Sequence, residues 1–238
     1  MTLTNLEADF KKAADPARAR HLARYFKTGK GEYAEGDKFL GLTVPVTRSL
    51  AAKYRDLPLK DIKSLLASPW HEHRLCALML LLERFRMGRT PERAEIYGLY
   101  LANTRFINNW DLVDLSAPGI MGGWLKDKSR KPLYRLAASE LVWERRIAVL
   151  GCFNFIKDGE SADALAIARR LLDDEHDLMH KAVGWMLRET GKKCSEKILL
   201  DFLKANYASL PRTALRYAIE KFPANRRKRL LAGNFSED

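Results

Sequence analysis

Cysteine is scarce and unpatterned in this 238-residue chain. Cys76, Cys152 and Cys194 are an odd set with no CxxC spacing, which argues against a disulfide framework. The first two lie in apolar stretches where a thiol behaves as a small hydrophobe, so all three are expected to be reduced and structural. Histidine offers no metal site: His176 and His180 have helical i, i+4 spacing, but no third ligand stands nearby. Long apolar runs are missing as well. The strongest, LCALMLLLERF from Leu75 to Phe85, is broken by charge far short of the roughly 20 residues of a membrane span. The N-terminal MTLTNLEADFKKAAD lacks an apolar core and a cleavage site, so the cytoplasm is the expected compartment.

Glycine is concentrated in FKTGKGEYAEGDKFLG, which holds Gly29, Gly31, Gly36 and Gly41 but not the GxxxxGK[ST] spacing of a phosphate-cradling loop. Nucleotide hydrolysis is therefore excluded and no nucleotide or other cofactor is expected. The stretch lies between a helix ending near Tyr25 and one beginning around VPVTRSLAAKY. It reads as a flexible, partly basic surface loop, with contact to a phosphate backbone as the functional alternative.

Acid is in deficit. Forty-two Lys and Arg against thirty Asp and Glu leave a net charge of +12 and a pI near 9.7, a footprint suited to a polyanion if the charges converge.

Almost every apolar cluster has helical spacing, and none alternates as a strand does. Leu75, Leu78, Met79 and Leu82 follow i, i+3, i+4, i+7, as do Val149, Cys152, Phe153 and Ile156, and Leu215, Ala218, Ile219 and Phe222. Val183, Met186 and Leu187 start a fourth stripe, and Val113, Ala117 and Ile120 a fifth. The onsets at 75, 113, 149, 183 and 215 lie 38, 36, 34 and 32 residues apart, the step of stacked two-helix units. Each interval has room for a first helix, as in Arg89 to Asn103 and Ser129 to Trp143. The expected fold is all-α, a superhelix of HEAT-like helix pairs with a concave basic face, folding as one domain over residues 1–238. An irregular helical bundle is the plainer alternative.

In NNWDLVDLSAP, Trp110 and Asp114 are four apart and share one helical face, while Asp111 points elsewhere and reads as a cap or first-turn acid. Pro118 has no N–H for the Asp114 carbonyl, so the helix is expected to bend or loosen there. In the same register the third repeat places Arg146 where Trp110 stands, and the fifth places Arg212 and Arg216 at the Trp110 and Asp114 positions. Lys181 and Trp185 lie one residue further on in the fourth. Stacking these helices would set one carboxylate between two indoles in a field of cations. Trp110 as a core residue, Asp114 as a salt-bridge partner of Arg146, and the cations as a solvated face remain the plainer readings. An acid within a phosphate-binding surface repels its own ligand unless it has a task there.

WDLVD (Trp110 to Asp114), WERRIAVL (Trp143 to Leu150) and KAVGWMLRE (Lys181 to Glu189) make the chain resemble DNA alkylation repair proteins of the AlkD type, HEAT-like repeat DNA glycosylases. ARYFK, FLGLTVPVTR and PRTALRYAIEKF extend the resemblance over nearly the whole chain. It implies an enzyme, with duplex DNA as its partner, that removes cationic alkylated purines of the 3-methyladenine and 7-methylguanine type; nothing in the sequence demands more than a monomer. It also implies Asp114 as the catalytic carboxylate, Trp110 and Trp185 against the lesion's deoxyribose, Arg146 beside them, and Tyr25, Arg48 and Arg188 near the DNA. Lys181, Arg212 and Arg216 join these as DNA-binding candidates from their register. The stretch from Phe26 to Lys38 is longer than the family pattern. Relatives that bind bent, branched or damaged DNA without excising bases supply the alternative, a non-catalytic DNA-binding protein, and a helical scaffold for an acidic protein is a third reading.

Overall fold

The computed structural model of the chain describes residues 1–235. It is all-helical: the described residues contain no strand, only an isolated bridge between Lys38 and Trp70. The chain divides into two compact units, Met1–Ser116 and the remainder from Ala117.

The first unit holds α1 (Leu3–Ala13), α2 (Pro16–Tyr25), α3 (Val44–Lys53), α4 (Leu59–Leu66), α5 (His71–Met87), α6 (Thr90–Ala102) and the start of α7 (Trp110–Ala117). Local chemistry sets the helix starts. Asp15 accepts from the Arg18 amide, 3.0 Å, ahead of Pro16 in the first turn of α2. α4 and α6 both pack on α5, and α3 crosses it. As a result α5 is buried almost all round at its N-terminal half, including His71, Glu72, His73 and Arg74. One apolar stripe on α5 does not foretell this, because the polar first turn is enclosed by a distant segment.

That segment is the glycine-containing stretch, and it is anchored rather than loose. The buried Glu72 carboxylate accepts from the amides of Leu40, Gly41 and Leu42 at 2.9, 2.8 and 3.2 Å. Phe26, Ala34, Phe39 and Leu42 are buried beside it. Gly41 has φ +89°, and a Cβ there would stand 2.1 Å from the Asp15 carbonyl oxygen, so this approach to α2 requires glycine. Glu72→Ala strands three amide donors, two of them buried, at roughly 1–3 kcal/mol each. A stability loss of at least about 3 kcal/mol is expected, together with new protease cleavage at Lys27, Lys30 or Lys38. Chemical denaturation and limited proteolysis check both outcomes.

The second unit opens with a π-turn at Pro118–Gly122, where the missing proline N–H loosens the helix as the sequence predicts. It continues through α8 (Gly123–Leu125), α9 (Lys131–Ala137), α10 (Val142–Gly151), α11 (Phe153–Lys157), α12 (Ala162–Arg170), α13 (Asp177–Lys193), α14 (Glu196–Ala205), α15 (Arg212–Ala218) and α16 (Ala224–Leu231). The stripe helices stack in order, α10 on α13 and α13 on α15, with α9, α12 and α14 as their partners. Two expected spans are shorter than the spacing implies. α9 stops at Ala137 and leaves Trp143 to α10, and the 149–156 stripe is broken at Cys152, which joins α10 to α11.

A close helix approach falls at Gly184, within the KAVGWMLRE string. A Cβ there would lie 2.4 Å from the Ala214 carbonyl oxygen and 2.6 Å from the Tyr217 Cβ. Gly184→Ala must push α15 off α13, and overpacking of this kind costs about 1–3 kcal/mol. Thermal unfolding should show a lowered Tm, although alanine is the better helix former.

The cysteines are free. Burial pushes the Cys76 thiol up to about 12 and the Cys152 thiol higher still, which leaves both inert. His176 caps α13 by accepting from the Leu178 amide, and His180 contacts the Asp174 carbonyl. Among the described residues no group of His, Cys, Asp or Glu is placed to hold a metal. Among the described residues no helix is long and apolar enough to cross a membrane.

Candidate nucleic-acid interface and catalytic carboxylate

α7 begins where Asn109 folds back: its side-chain oxygen accepts from the Trp110 amide, 2.8 Å, and its carbonyl from Val113, 3.1 Å. Leu112, Val113 and Ser116 are buried, while Trp110 and Asp114 are half-buried on a neighbouring face of the helix. The buried Ser116 hydroxyl pairs with Tyr100, 2.9 Å, and ties α7 to α6.

Trp110 is held from several sides. Phe26 stacks on it at 5.4 Å between ring centroids and 18°, and Tyr25 meets it edge-on at 6.3 Å. The Tyr33 hydroxyl is hydrogen-bonded to Trp110. Behind Phe26 the stack continues through Phe39, 5.1 Å away, to His71, 4.6 Å further on. Tyr25 is 59 % exposed, so this aromatic cluster reaches solvent at the last residue of α2.

His71 fixes the first turn of α7. Its Nε2 lies 2.9 Å from Asp111 Oδ2 and its Nδ1 3.0 Å from Asp37 Oδ2, while Asp37 Oδ1 accepts from Arg74 at 2.6 Å. Burial opposes a charge on the imidazole, but the Asp111 charge and hydrogen bond, with those of Asp37, outweigh it and raise His71 to about 9. Burial likewise opposes ionisation of Asp37, and the His71 hydrogen bond with the Arg74 charge holds its carboxyl below the usual range. At neutral pH an imidazolium therefore donates to a carboxylate on each side. Asp111 is the first-turn acid that the sequence predicts, and it is also the far end of a buried ionic chain that runs back to the glycine-containing loop.

The remaining candidates fall on both units. Arg48 is exposed on α3 and lines a groove of about 420 Å³ that also includes Leu115 of α7. In the second unit Arg146 is buried, and its guanidinium donates to the Leu178 carbonyl, 2.6 Å, which joins α10 to the first turn of α13. Lys181 pairs with Asp177 at 2.7 Å, and Arg188 pairs with Glu220. Trp185 is half-buried and lies against the Phe153 ring, 6.1 Å between centroids. Arg212 donates to the Leu231 carbonyl, 2.6 Å, and Arg216 is exposed. In the first unit the structure thus brings Tyr25, Trp110 and Asp114 together on and beside α7. It adds Phe26, Tyr33 and His71, which the helical register cannot reveal because loop and sequence distance separate them.

A family model described as DNA alkylation repair enzyme matches residues 6–222. A solved structure described as a predicted DNA alkylation repair enzyme from Enterococcus faecalis is similar to this chain at 17 % identity with a TM-score of 0.67. The match covers 89 % of this chain and 97 % of that one, and at this identity it shows a shared fold. No curated protein matches.

Proposed function

The chain belongs to the DNA alkylation repair enzyme family, and on that premise we propose that it is a DNA glycosylase that hydrolyses the N-glycosidic bond of cationic alkylated purines in duplex DNA. The supporting observation is the carboxylate of Asp114 one helical turn from an indole that Phe26, Tyr25 and Tyr33 hold in place.

The chemistry suits a single acid. An N-alkylated purine already carries positive charge and leaves neutral when it takes the bonding electrons, so no group is needed to protonate it. Positive charge moves onto the sugar in an oxocarbenium-like transition state, as in other glycoside hydrolysis. Asp114 stabilises that charge and orients the water that adds to C1′. The water's proton passes to the carboxylate and then to solvent, leaving free base and an abasic site. Trp110 offers an indole face to the sugar, adding about 0.5–2 kcal/mol as charge develops. Tyr25, Arg48, Lys181, Trp185, Arg188, Arg212 and Arg216 serve the DNA, while the buried Arg146 holds the first turn of α13. We read the enzyme as a cytoplasmic monomer acting without metal or nucleotide.

The test incubates purified protein with a duplex carrying one 7-methylguanine and follows both affinity and free base. Salt-sensitive binding with release of base and an equal number of abasic sites is expected. Salt-sensitive binding without release would identify a non-catalytic DNA-binding protein, and affinity indifferent to salt would remove DNA as the partner.

A further inference from the structure

We propose that α16 carries a binding site for the phosphodiester backbone of duplex DNA, formed by Arg227 and Lys228 around the hollow that Arg216 also lines; this rests on DNA being the partner. The sequence leaves the NRRKR run, Asn225 to Arg229, divided between touching DNA and keeping the last helix soluble.

α16 is fastened to the second unit. Leu230 is buried, and the Leu231 carbonyl accepts from the Tyr207 hydroxyl at 2.8 Å and from Arg212 at 2.6 Å. Arg216, Arg227 and Lys228 then line an open hollow of about 400 Å³ with Ile219, Ala224 and Leu231. All three cations are exposed. Among the described residues no carboxylate pairs with Arg212, Arg216, Arg227 or Lys228. Nearby cations differ: Arg226 is paired with Glu196, 2.7 Å, and Lys221 with Glu220, 3.1 Å.

Like charges around one hollow repel each other, and an anion between them relieves the repulsion. Guanidinium groups suit phosphate oxygens because their planar forks match them in pairs. The cations stand in water rather than in an enclosed pocket, so a free phosphate gains little from them. A polyanion gains through release of its condensed counterions. Arg212 and Arg216 on α15 face the same end of the unit, so α16 extends their surface by one more helix.

The experiment measures affinity for a fluorescent undamaged duplex across a salt series, with wild type and with Arg227→Gln/Lys228→Gln. Each lost phosphate contact lowers the log K against log salt slope by about 0.9. The double variant is therefore expected to lose about 2 units of slope and at least tenfold in affinity at low salt, with unchanged Tm. Lys11→Gln/Lys12→Gln on α1 removes the same charge elsewhere and is expected to leave the slope unchanged. An unaltered slope in the α16 variant, or an equal loss in the α1 variant, overturns the site. Binding of inorganic phosphate that the α16 variant loses, together with an unaltered DNA slope in that variant, assigns the hollow to a free anion instead. Base release plays no part in these readings, so excision fails or stands separately. A wild type without salt-sensitive affinity overturns the DNA reading itself.

Discussion

Asp114→Asn is expected to lose release of 7-methylguanine by at least about 100-fold while keeping its grip on the duplex. The substitution retains size and hydrogen-bonding capacity but removes the negative charge that the proposed reaction sets against the developing oxocarbenium ion. Removing one preorganised electrostatic contact of this kind costs about 10²–10³ in rate, roughly 2.7–4 kcal/mol. An indole contact at about 0.5–2 kcal/mol cannot make up that loss. The ground state behaves oppositely: an acid near phosphates repels them, so its removal leaves duplex affinity unchanged or slightly higher. Single-turnover release, measured beside equilibrium binding, separates the two effects. A parallel fall in binding and release would point to a structural role for Asp114.

The second large effect is expected at His71, which is buried. His71→Ala removes the imidazolium between Asp37 and Asp111 and leaves Asp111 without its partner at 2.9 Å. Removing one member of a buried ionic set costs about 3–5 kcal/mol. At roughly 2–4 °C per kcal/mol for a chain of this size, Tm should fall by about 10 °C. The pH dependence follows from the raised value of about 9. A group whose folded pKa lies above its unfolded value of about 6.5 stabilises fully below that pH and loses its contribution as pH rises through about 9. Wild-type stability should therefore decline between about pH 6.5 and 9, and the His71→Ala curve should be flatter there. Asp37 acts in the other direction, because its lowered pKa gives a contribution that is lost as acid protonates it. Denaturant midpoints across the pH range measure both trends. Since Asp111 sits in the first turn of α7, the His71 variant should also release base more slowly at temperatures where it remains folded.

These two residues mark where the sequence is readable and where it is not. The stripes starting at Leu75, Val113, Val149, Val183 and Leu215 begin on α5, α7, α10, α13 and α15, although those from 113, 149 and 215 run past the ends of their helices, because i, i+3, i+4 spacing is a local property that burial of one helix face enforces. Pro118 announces its π-turn for the same reason, since a missing N–H acts within one turn. Trp110 and Asp114 share a helix four residues apart, so their common face is also local. The buried ionic chain is not. His71, Glu72, His73 and Arg74 read as a polar, solvated first turn, and the return of the Phe26 to Thr43 segment, with Phe10 and Ser68 against His73, encloses them. Asp37 lies 34 residues before His71, and Asp111 lies 40 residues after it. Arg146 shows the same limit: its register marks it as a surface cation, yet the neighbouring helix start at Leu178 buries it.

The central claim is that a single carboxylate suffices because the leaving base brings its own positive charge. The most direct measurement compares single-turnover release from two otherwise identical duplexes, one with cationic 7-methylguanine and one with a neutral lesion such as hypoxanthine, at equal bound protein. Release of the cationic base alone is the predicted result. Comparable release of the neutral base would require a general acid that a lone Asp114 does not supply, and absence of release from both would contradict catalysis altogether.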